Sequence, residues 1–275
     1  MVYLSEPSFF ISQFLMQYTH TLSAIAREAG EAILSIYHHP NFAETVEWKA
    51  DNSPLTLADK AANEVICKAL EAHYPDIPIL SEEGKMVSYE VRKKWQRFWL
   101  IDPLDGTKEF IKKNGEFTVN IALIENGEPT VGVVFVPVKD QLFFAEKGKG
   151  AFKTDEKGIT SRLQGCTENL ETRPIHIVSS RSHLSPETAA FIAQFPQAKC
   201  VSMGSSLKFM LIAEGSADIY PRFAPTMEWD IAASHIIVTE SGAILTDYPD
   251  KKQLLYNKEN LLNPHFWVVG QRAIL

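Results

Sequence analysis

Trp99-Leu-Ile-Asp-Pro-Leu-Asp-Gly-Thr-Lys108 decides how this 275-residue chain is read. The apolar run Phe98–Ile101 has the length and content of a short buried strand. The strand is expected to stop at Asp102, because Pro103 has no N–H and disfavours helical backbone in the residue before it. The chain must bend there, so Asp102, Asp105 and the Leu104 carbonyl can converge on one point. Three hard oxygens, with neither Cys nor His beside them, suit Mg²⁺ better than a soft metal. Gly106 lets the backbone come close to a ligand, and Thr107 opens a helix whose free N–H groups can receive a phosphate. Two Asp three residues apart are by themselves an ordinary turn-and-cap pattern. The ten-residue context gives them the metal reading.

Toward the N-terminus, Leu22, Ile25, Ala26, Ala29 and Ile33 predict a helix over about Tyr18 to Tyr37. Lys49-Ala-Asp-Asn-Ser-Pro54 reads as a turn, with Asp51 structural within it. Thr56 is the expected N-cap of a second helix to about His73, with Ala58, Ala61, Val65 and Leu70 toward the core. Pro78-Ile79-Leu80 is a short strand that delivers Ser81-Glu82-Glu83-Gly84 at its C-terminal end. Adjacent Glu82 and Glu83 point in different directions, so at most one of them faces a metal. Taken singly, Glu82 is an ordinary loop residue and Asp59 an ordinary helix-surface one.

Toward the C-terminus, Thr118–Ile124 reads as a strand, Asn126-Gly127 as a hairpin turn, and Val131–Val136 and Leu142–Ala145 as the continuation of an antiparallel meander. The stretch Gly148–Arg173 is rich in glycine and charge, and the domain junction is expected near Ser161–Arg173. Strands at Ile175–Val178, Lys199–Ser202 and Ala217–Tyr220 then alternate with helices near Pro186–Gln194, Ser205–Glu214 and Trp229–Glu240. Gly242 ends the last helix, and Ala243–Thr246 and Phe266–Val269 complete the set. Asp230 at a helix start is expected for dipole reasons alone. The chain is therefore read as an α+β N-terminal domain, residues 1–165, packed on an α/β C-terminal domain, residues 166–275.

Composition narrows the function classes. Apolar residues make up 45% and charged residues 22%, the balance of a globular chain, and the formal net charge is −7. No dense Lys/Arg run supplies a basic face, so a nucleic-acid polymer is not an expected partner. Cys67, Cys166 and Cys200 are sparse and odd in number, which fits free thiols in a reducing cytoplasm. The first two dozen residues lack a basic start and carry Glu6, unlike a secretory signal. No apolar run reaches the roughly 18–20 residues of a membrane span, so a soluble protein is expected, with peripheral contact through the N-terminal stretch left open. An apolar helix face serves a core or a partner copy alike, which leaves monomer and homodimer both open.

Asp59, Glu82, the Asp102–Thr107 run and Trp229-Asp230-Ile-Ala-Ala233 together resemble the paired signatures of the inositol-monophosphatase superfamily of lithium-sensitive, metal-dependent phosphatases. Lys49–Pro54, Trp99–Ile111, Asn114–Leu123, Gly204–Phe209, Ala213–Phe223 and Leu262-Asn-Pro264 resemble its bacterial 3′(2′),5′-bisphosphate nucleotidase branch, the CysQ type. The resemblance runs from about Leu22 to Val269. It implies a layered αβαβα sandwich of the inositol-monophosphatase and fructose-bisphosphatase type. It also implies two or three Mg²⁺ ions held by Glu82, Asp102, the Leu104 carbonyl, Asp105 and Asp230. Thr107 and Asp59 would form the pair that holds the attacking water, with Glu82 counted among the catalytic residues. Leu104, Asp105, Gly106, Thr107 and Asp230 would also meet the substrate. Ser205, Lys208 and Arg222 would hold the 5′-phosphate and ribose of adenosine 3′,5′-bisphosphate, and His183 would lie against adenine. Lys208 and Arg222 also read as ordinary surface charges, and His183 as a bystander.

The implied reaction is hydrolysis to AMP and phosphate, in the clearance of a by-product of sulfate assimilation. An inositol or sugar phosphatase shares the same metal site and is the rival reading. A non-enzymatic protein that binds metals or nucleotides has nothing in its favour, since every ligand position is filled.

Overall fold

The computed structural model describes residues 16–40, 42, 46–48, 54–166, 173–182 and 184–270. Helix α1 spans Gln17–Tyr37, and strands β1 (Val46–Trp48) and β2 (Pro54–Thr56) form a small antiparallel pair. Helix α2, Leu57–His73, starts as expected at Thr56, whose hydroxyl accepts from Ala58 N–H while Asp59 reaches back to the Thr56 N–H. Its buried face is Ala58, Ala62, Ile66 and Leu70. Ala61 and Val65, expected in the core, are half-buried, because the strict four-residue row is the one that meets the sheet.

Next come β3 (Ile79–Ser81), the single-turn α3 (Tyr89–Arg92), β4 (Arg97–Asp105) and α4 (Thr107–Ile111). Strand β4 does not stop at Asp102. It runs on to Asp105 through a bulge: Asp102 pairs with Asn120 and Asp105 with Thr118, so three steps of β4 oppose two of its neighbour. Pro103 cannot donate to the ladder, and the bulge absorbs it.

Strands β5 (Thr118–Glu125), β6 (Glu128–Val136), β7 (Gln141–Glu146), β8 (Gly150–Thr154) and β9 (Thr160–Arg162) finish a seven-stranded sheet in sequence order from β3, parallel only between β3 and β4. Asn126 and Gly127 both have positive φ, 52° and 80°, as the primed hairpin turn requires. Strands β8 and β9 fall in the Gly- and Lys-rich stretch that carried no strand pattern in the sequence.

The remaining elements are β10 (His176–Ser180), α5 (Pro186–Ile192), β11 (Lys199–Met203), α6 (Leu207–Ala213), β12 (Ile219–Arg222), α7 (Glu228–Glu240), β13 (Ile244–Asp247) and β14 (Phe266–Val269). They build a five-stranded sheet in the order β11-β10-β12-β14-β13, with β10 parallel to both neighbours. Side-chain alternation along β4 shows how the layers stack. Trp99 and Ile101 join α1 and α2 in one core, whereas Phe98 and Leu100 join α6 and α7 in another. The second core continues to Tyr220, Leu245, Phe266 and Val268 of the five-stranded sheet. That sheet's other face holds Ile177, Ile219, Trp267 and Val269 against Phe191 of α5. The stack is helix, sheet, helix, sheet, helix, the expected αβαβα sandwich.

Candidate functional site

The first sheet and helix α7 send acidic residues into one cleft of about 330 Å³, lined in part by Glu82, Asp105, Thr107, Lys208, Arg222 and Asp230. Glu82 follows β3 and is anchored by its N–H, which donates to Ile101 O at 3.1 Å. Asp102 sits before the β4 bulge and is 1% exposed. Asp230 is the third residue of α7 and accepts from Met227 N–H at 2.9 Å, a cap that fixes its rotamer. One carboxylate oxygen from each of Glu82, Asp102 and Asp230 lies within 4.8 Å of the others.

Burial pushes the Asp102 carboxyl well above its ordinary range, and the nearby Glu82, Asp105, Asp230 and Asp59 push it further. Asp230 is raised in the same way by burial, then by Asp105 and Glu82. Three crowded carboxylates are expensive to ionise together without a cation. An all-oxygen donor set is what a hard divalent ion such as Mg²⁺ takes, so the residues present fit that ion.

The remaining expected site residues lie around this group. Asp59 is buried, and its carboxyl is raised to about 6 by burial, against the lowering effect of its bonds from Thr56. The Thr107 hydroxyl lies 3.4 Å from Asp59 Oδ1 and 3.5 Å from Leu104 O. Gly106 has φ +96°, and a Cβ there would stand 2.9 Å from Glu116 O, so this turn requires glycine.

Asp105 is not in the tight group of three. Its Oδ2 accepts from Ser205 Oγ at 2.7 Å and from Ser206 Oγ at 3.1 Å. Ser205 itself adopts φ +50°, and α6 begins only at Leu207, two residues later than expected, because the chain makes this left-handed step first. Lys208 is buried, donates to Ser205 O and lies over the Tyr220 ring, with Nζ 5.5 Å from the centroid. Burial lowers its pKa to about 8, Asp105 opposing and Arg222 adding to the shift. Arg222, at the end of β12, is also buried and donates to Pro225 O at 2.9 Å. His183 and Asp51 lie outside the described residues.

Several supports carried no assigned role in the sequence. Asn263, in the Leu262–Pro264 motif, donates from its side chain to Met227 O and from its N–H to Thr226 O, both at 2.8 Å, and so pins the start of α7 that carries Asp230. Glu228 is fully buried and gathers the N–H groups of Asn257 and Lys258 at 2.7 and 3.1 Å. Glu116 accepts from Arg181 and from Gly204 N–H, tying both C-terminal loops to the first sheet. Thr118 and Asn120 bond to Ser205 and Ser206. Their signal in the sequence was two polar residues at alternate positions of an otherwise apolar strand.

The sequence pattern of the inositol monophosphatase family matches residues 15–273. The 3′(2′),5′-bisphosphate nucleotidase CysQ of Salmonella typhimurium is 48% identical over 246 residues, which is 89% of this chain and 96% of that protein. The crystal structure of CysQ from Bacteroides thetaiotaomicron superposes with a TM-score of 0.82 at 45% identity, covering 94% of this chain and 99% of that one. The Thermotoga maritima IMPase superposes with a TM-score of 0.78 at 26% identity, covering 93% of both chains. With the family's sequence pattern matched over nearly its whole length and its fold in agreement, the chain belongs to the inositol monophosphatase family.

Proposed function

We propose that this chain is a Mg²⁺-dependent 3′(2′),5′-bisphosphate nucleotidase that hydrolyses adenosine 3′,5′-bisphosphate to AMP and phosphate. The observation that carries the reading is the pairing, around one cleft, of the acidic group Glu82, Asp102 and Asp230 with two buried cations, Lys208 and Arg222. A substrate with one phosphate needs only the acidic end. A second phosphate needs cations away from it, and burial makes each charge-assisted bond strong. The name and identity of the CysQ relatives point the same way.

In this reading Glu82, Asp102, the Leu104 carbonyl, Asp105 and Asp230 would hold two or three Mg²⁺ ions. Mg²⁺ held there would supply neutralising charge and would make water a competent nucleophile near neutral pH. Thr107 and Asp59 orient that water and take its proton, a task suited to a carboxylate raised to about 6, which is ionised yet basic at neutral pH. Gly106 and Thr107 border the phosphate to be cleaved. Lys208 and Arg222 hold the 5′-phosphate, with Ser205 beside them. No covalent intermediate is required, because phosphoryl transfer depends on positioning and charge neutralisation.

The test is phosphate release from adenosine 3′,5′-bisphosphate against inositol 1-phosphate, with and without Mg²⁺ and then Li⁺. Mg²⁺-dependent, Li⁺-inhibited release with a higher kcat/KM for the nucleotide is expected. A higher kcat/KM for the inositol ester would leave the acidic site standing and remove the second-phosphate role of Lys208 and Arg222.

A further inference from the structure

Five side chains close a hydrogen-bonded ring behind the cleft. Asp105 Oδ2 accepts from Ser205 Oγ at 2.7 Å, and Ser205 Oγ lies 2.7 Å from Thr118 Oγ1. Thr118 Oγ1 is 2.9 Å from the Asn120 amide, whose other atom is 3.0 Å from Ser206 Oγ. Ser206 Oγ returns to Asp105 Oδ2 at 3.1 Å. Thr118, Asn120 and Ser206 are each no more than 1% exposed, which closes to water the contacts they make.

The ring spans the two sheets. Thr118 stands opposite Asp105 across the β4 bulge, and Asn120 opposite Asp102. Ser205 and Ser206 come from the loop between β11 and α6. Ser206 Oγ is also 3.2 Å from Asp230 O, so one hydroxyl stands between the acidic residues of β4 and α7.

Counting protons shows what the ring does. Each of the three hydroxyls donates one proton, and the Asn120 amide donates on one side only. An ionised carboxylate donates none, so four protons serve five contacts whichever way the amide is turned. One contact is always open. Asp105 is therefore held at Oδ2 by a hydroxyl pair that can yield, with Ser206 able to turn its proton to Asp230 O instead. Oδ1, the oxygen outside the ring, is left for a ligand in the cleft.

We propose that Thr118, Asn120 and Ser206 are positioning residues that aim the Asp105 carboxylate at the cations and so set the affinity of one cation site. The inference rests on the metal reading of the cleft given above. Outer partners of this kind commonly change metal affinity by about 10- to 100-fold when removed.

Mn²⁺ binding without substrate, followed by the electron paramagnetic resonance of free Mn²⁺ and by calorimetry, tests it on the whole chain. Asp105→Asn is expected to lower the number of Mn²⁺ bound by one. Thr118→Val and Ser206→Ala should keep the wild-type number but weaken that same site roughly 10- to 100-fold. Thr118→Ser, which restores the hydroxyl, should return the affinity to that of the wild type. A merely structural role would lower Tm and leave the Mn²⁺ affinity of the folded protein unchanged. Folded Thr118→Val and Ser206→Ala proteins that bind Mn²⁺ as the wild type does, beside an Asp105→Asn protein that loses a site, would overturn the positioning role alone. Wild-type protein that binds no Mn²⁺, or Asp105→Asn protein with unaltered binding, would overturn the metal reading and this role together. Should Thr118→Val fail to fold, Ser206→Ala decides the matter.

Discussion

Thr107 places its hydroxyl 3.4 Å from Oδ1 of Asp59, while Oδ2 of the same carboxylate accepts from the N–H and the hydroxyl of Thr56 at 2.7 and 2.6 Å. One oxygen caps α2 and the other is left for chemistry. In Asp59→Asn the amide oxygen serves the Thr56 N–H, which turns the amide nitrogen toward Thr107. That nitrogen donates and cannot take a proton. A fall in kcat of about 10²- to 10⁴-fold is expected with the helix content unchanged, measured by phosphate release and circular dichroism. Wild-type kcat in Asp59→Asn would remove the general-base role.

The Asp59 carboxyl is raised to about 6, chiefly by burial, which fixes two signs. With Asp59 as the proposed general base, activity needs the ionised form, so kcat/KM should fall as pH drops through about 6, or somewhat lower where bound cations favour ionisation. Stability runs the other way. A carboxyl raised in the folded state contributes stability below about 4 that is lost as pH rises through about 6. The rise from the ordinary carboxylate value to about 6 corresponds to no more than ~3 kcal/mol. Asp59→Asn should therefore gain stability over wild type at pH 7 relative to pH 4, by less than that amount, in urea denaturation.

Metal removal follows the same logic on a larger scale. Asp102 and Asp230 are both raised by burial and mutual repulsion, so their contribution to the metal-free protein is lost as pH rises above the ordinary carboxylate range. Mg²⁺ relieves that repulsion, and at about 100 times its Kd it adds ~2.7 kcal/mol. The rise in Tm on adding Mg²⁺ after chelation should be larger at pH 8 than at pH 5. In Asp102→Asn the metal-free Tm should rise and the Mg²⁺ increment shrink. Scanning calorimetry of the four conditions checks both.

Strand β4 and the hairpin at Asn126-Gly127 were legible in the sequence because they are local. Apolar run length fixes one, and two positive-φ positions fix the other. The acidic residues were legible only as a set, through the paired signatures they share with the family, since singly Glu82 and Asp230 read as an ordinary loop residue and an ordinary helix start. The position of Asp105 was not. Its partners Ser205 and Ser206 lie 100 and 101 residues away, and no local spacing reports a contact between loops of different sheets. Strand β9 was missed because Thr160-Ser-Arg162 is short, polar and at a sheet edge, where burial imposes no alternation. Asp59 reads as an exposed helix residue until β4 is laid against α2.

Lys208 donates to Ser205 O from a buried position, so its role separates from the acidic chemistry. Lys208→Ala should raise KM for adenosine 3′,5′-bisphosphate about 10- to 100-fold, the worth of one charge-assisted hydrogen bond, with a much smaller effect on a monophosphate substrate. Its pKa, lowered to about 8, adds a pH signature. The wild-type KM for the bisphosphate should climb as pH rises past about 8, and the Lys208→Ala KM should not. Steady-state kinetics with both substrates across that range is the check, and equal losses on both would assign Lys208 to the fold instead.

Gly132 of β6 packs against α7 with no room for a side chain. A Cβ there would stand 2.4 Å from Ile236 Cγ2 and 2.5 Å from Ala233 O. The first contact could be relieved by a rotamer change, but the second is backbone, so α7 itself must move. Overpacking of this kind costs about 1–3 kcal/mol. Helix α7 carries Asp230 in its first turn, and Asn263 and Glu228 hold that end while Gly132 faces its middle. A shift at Ala233 therefore tilts Asp230 relative to Glu82 and Asp102. Gly132→Ala should lower the urea midpoint and, in the folded protein, weaken Mn²⁺ binding as well. Ile236→Ala added to Gly132→Ala should recover neither effect fully, because the Ala233 carbonyl stays in place. A Gly132→Ala protein that loses stability yet binds Mn²⁺ with wild-type affinity would show that the strain is absorbed by β6, with Asp230 undisturbed.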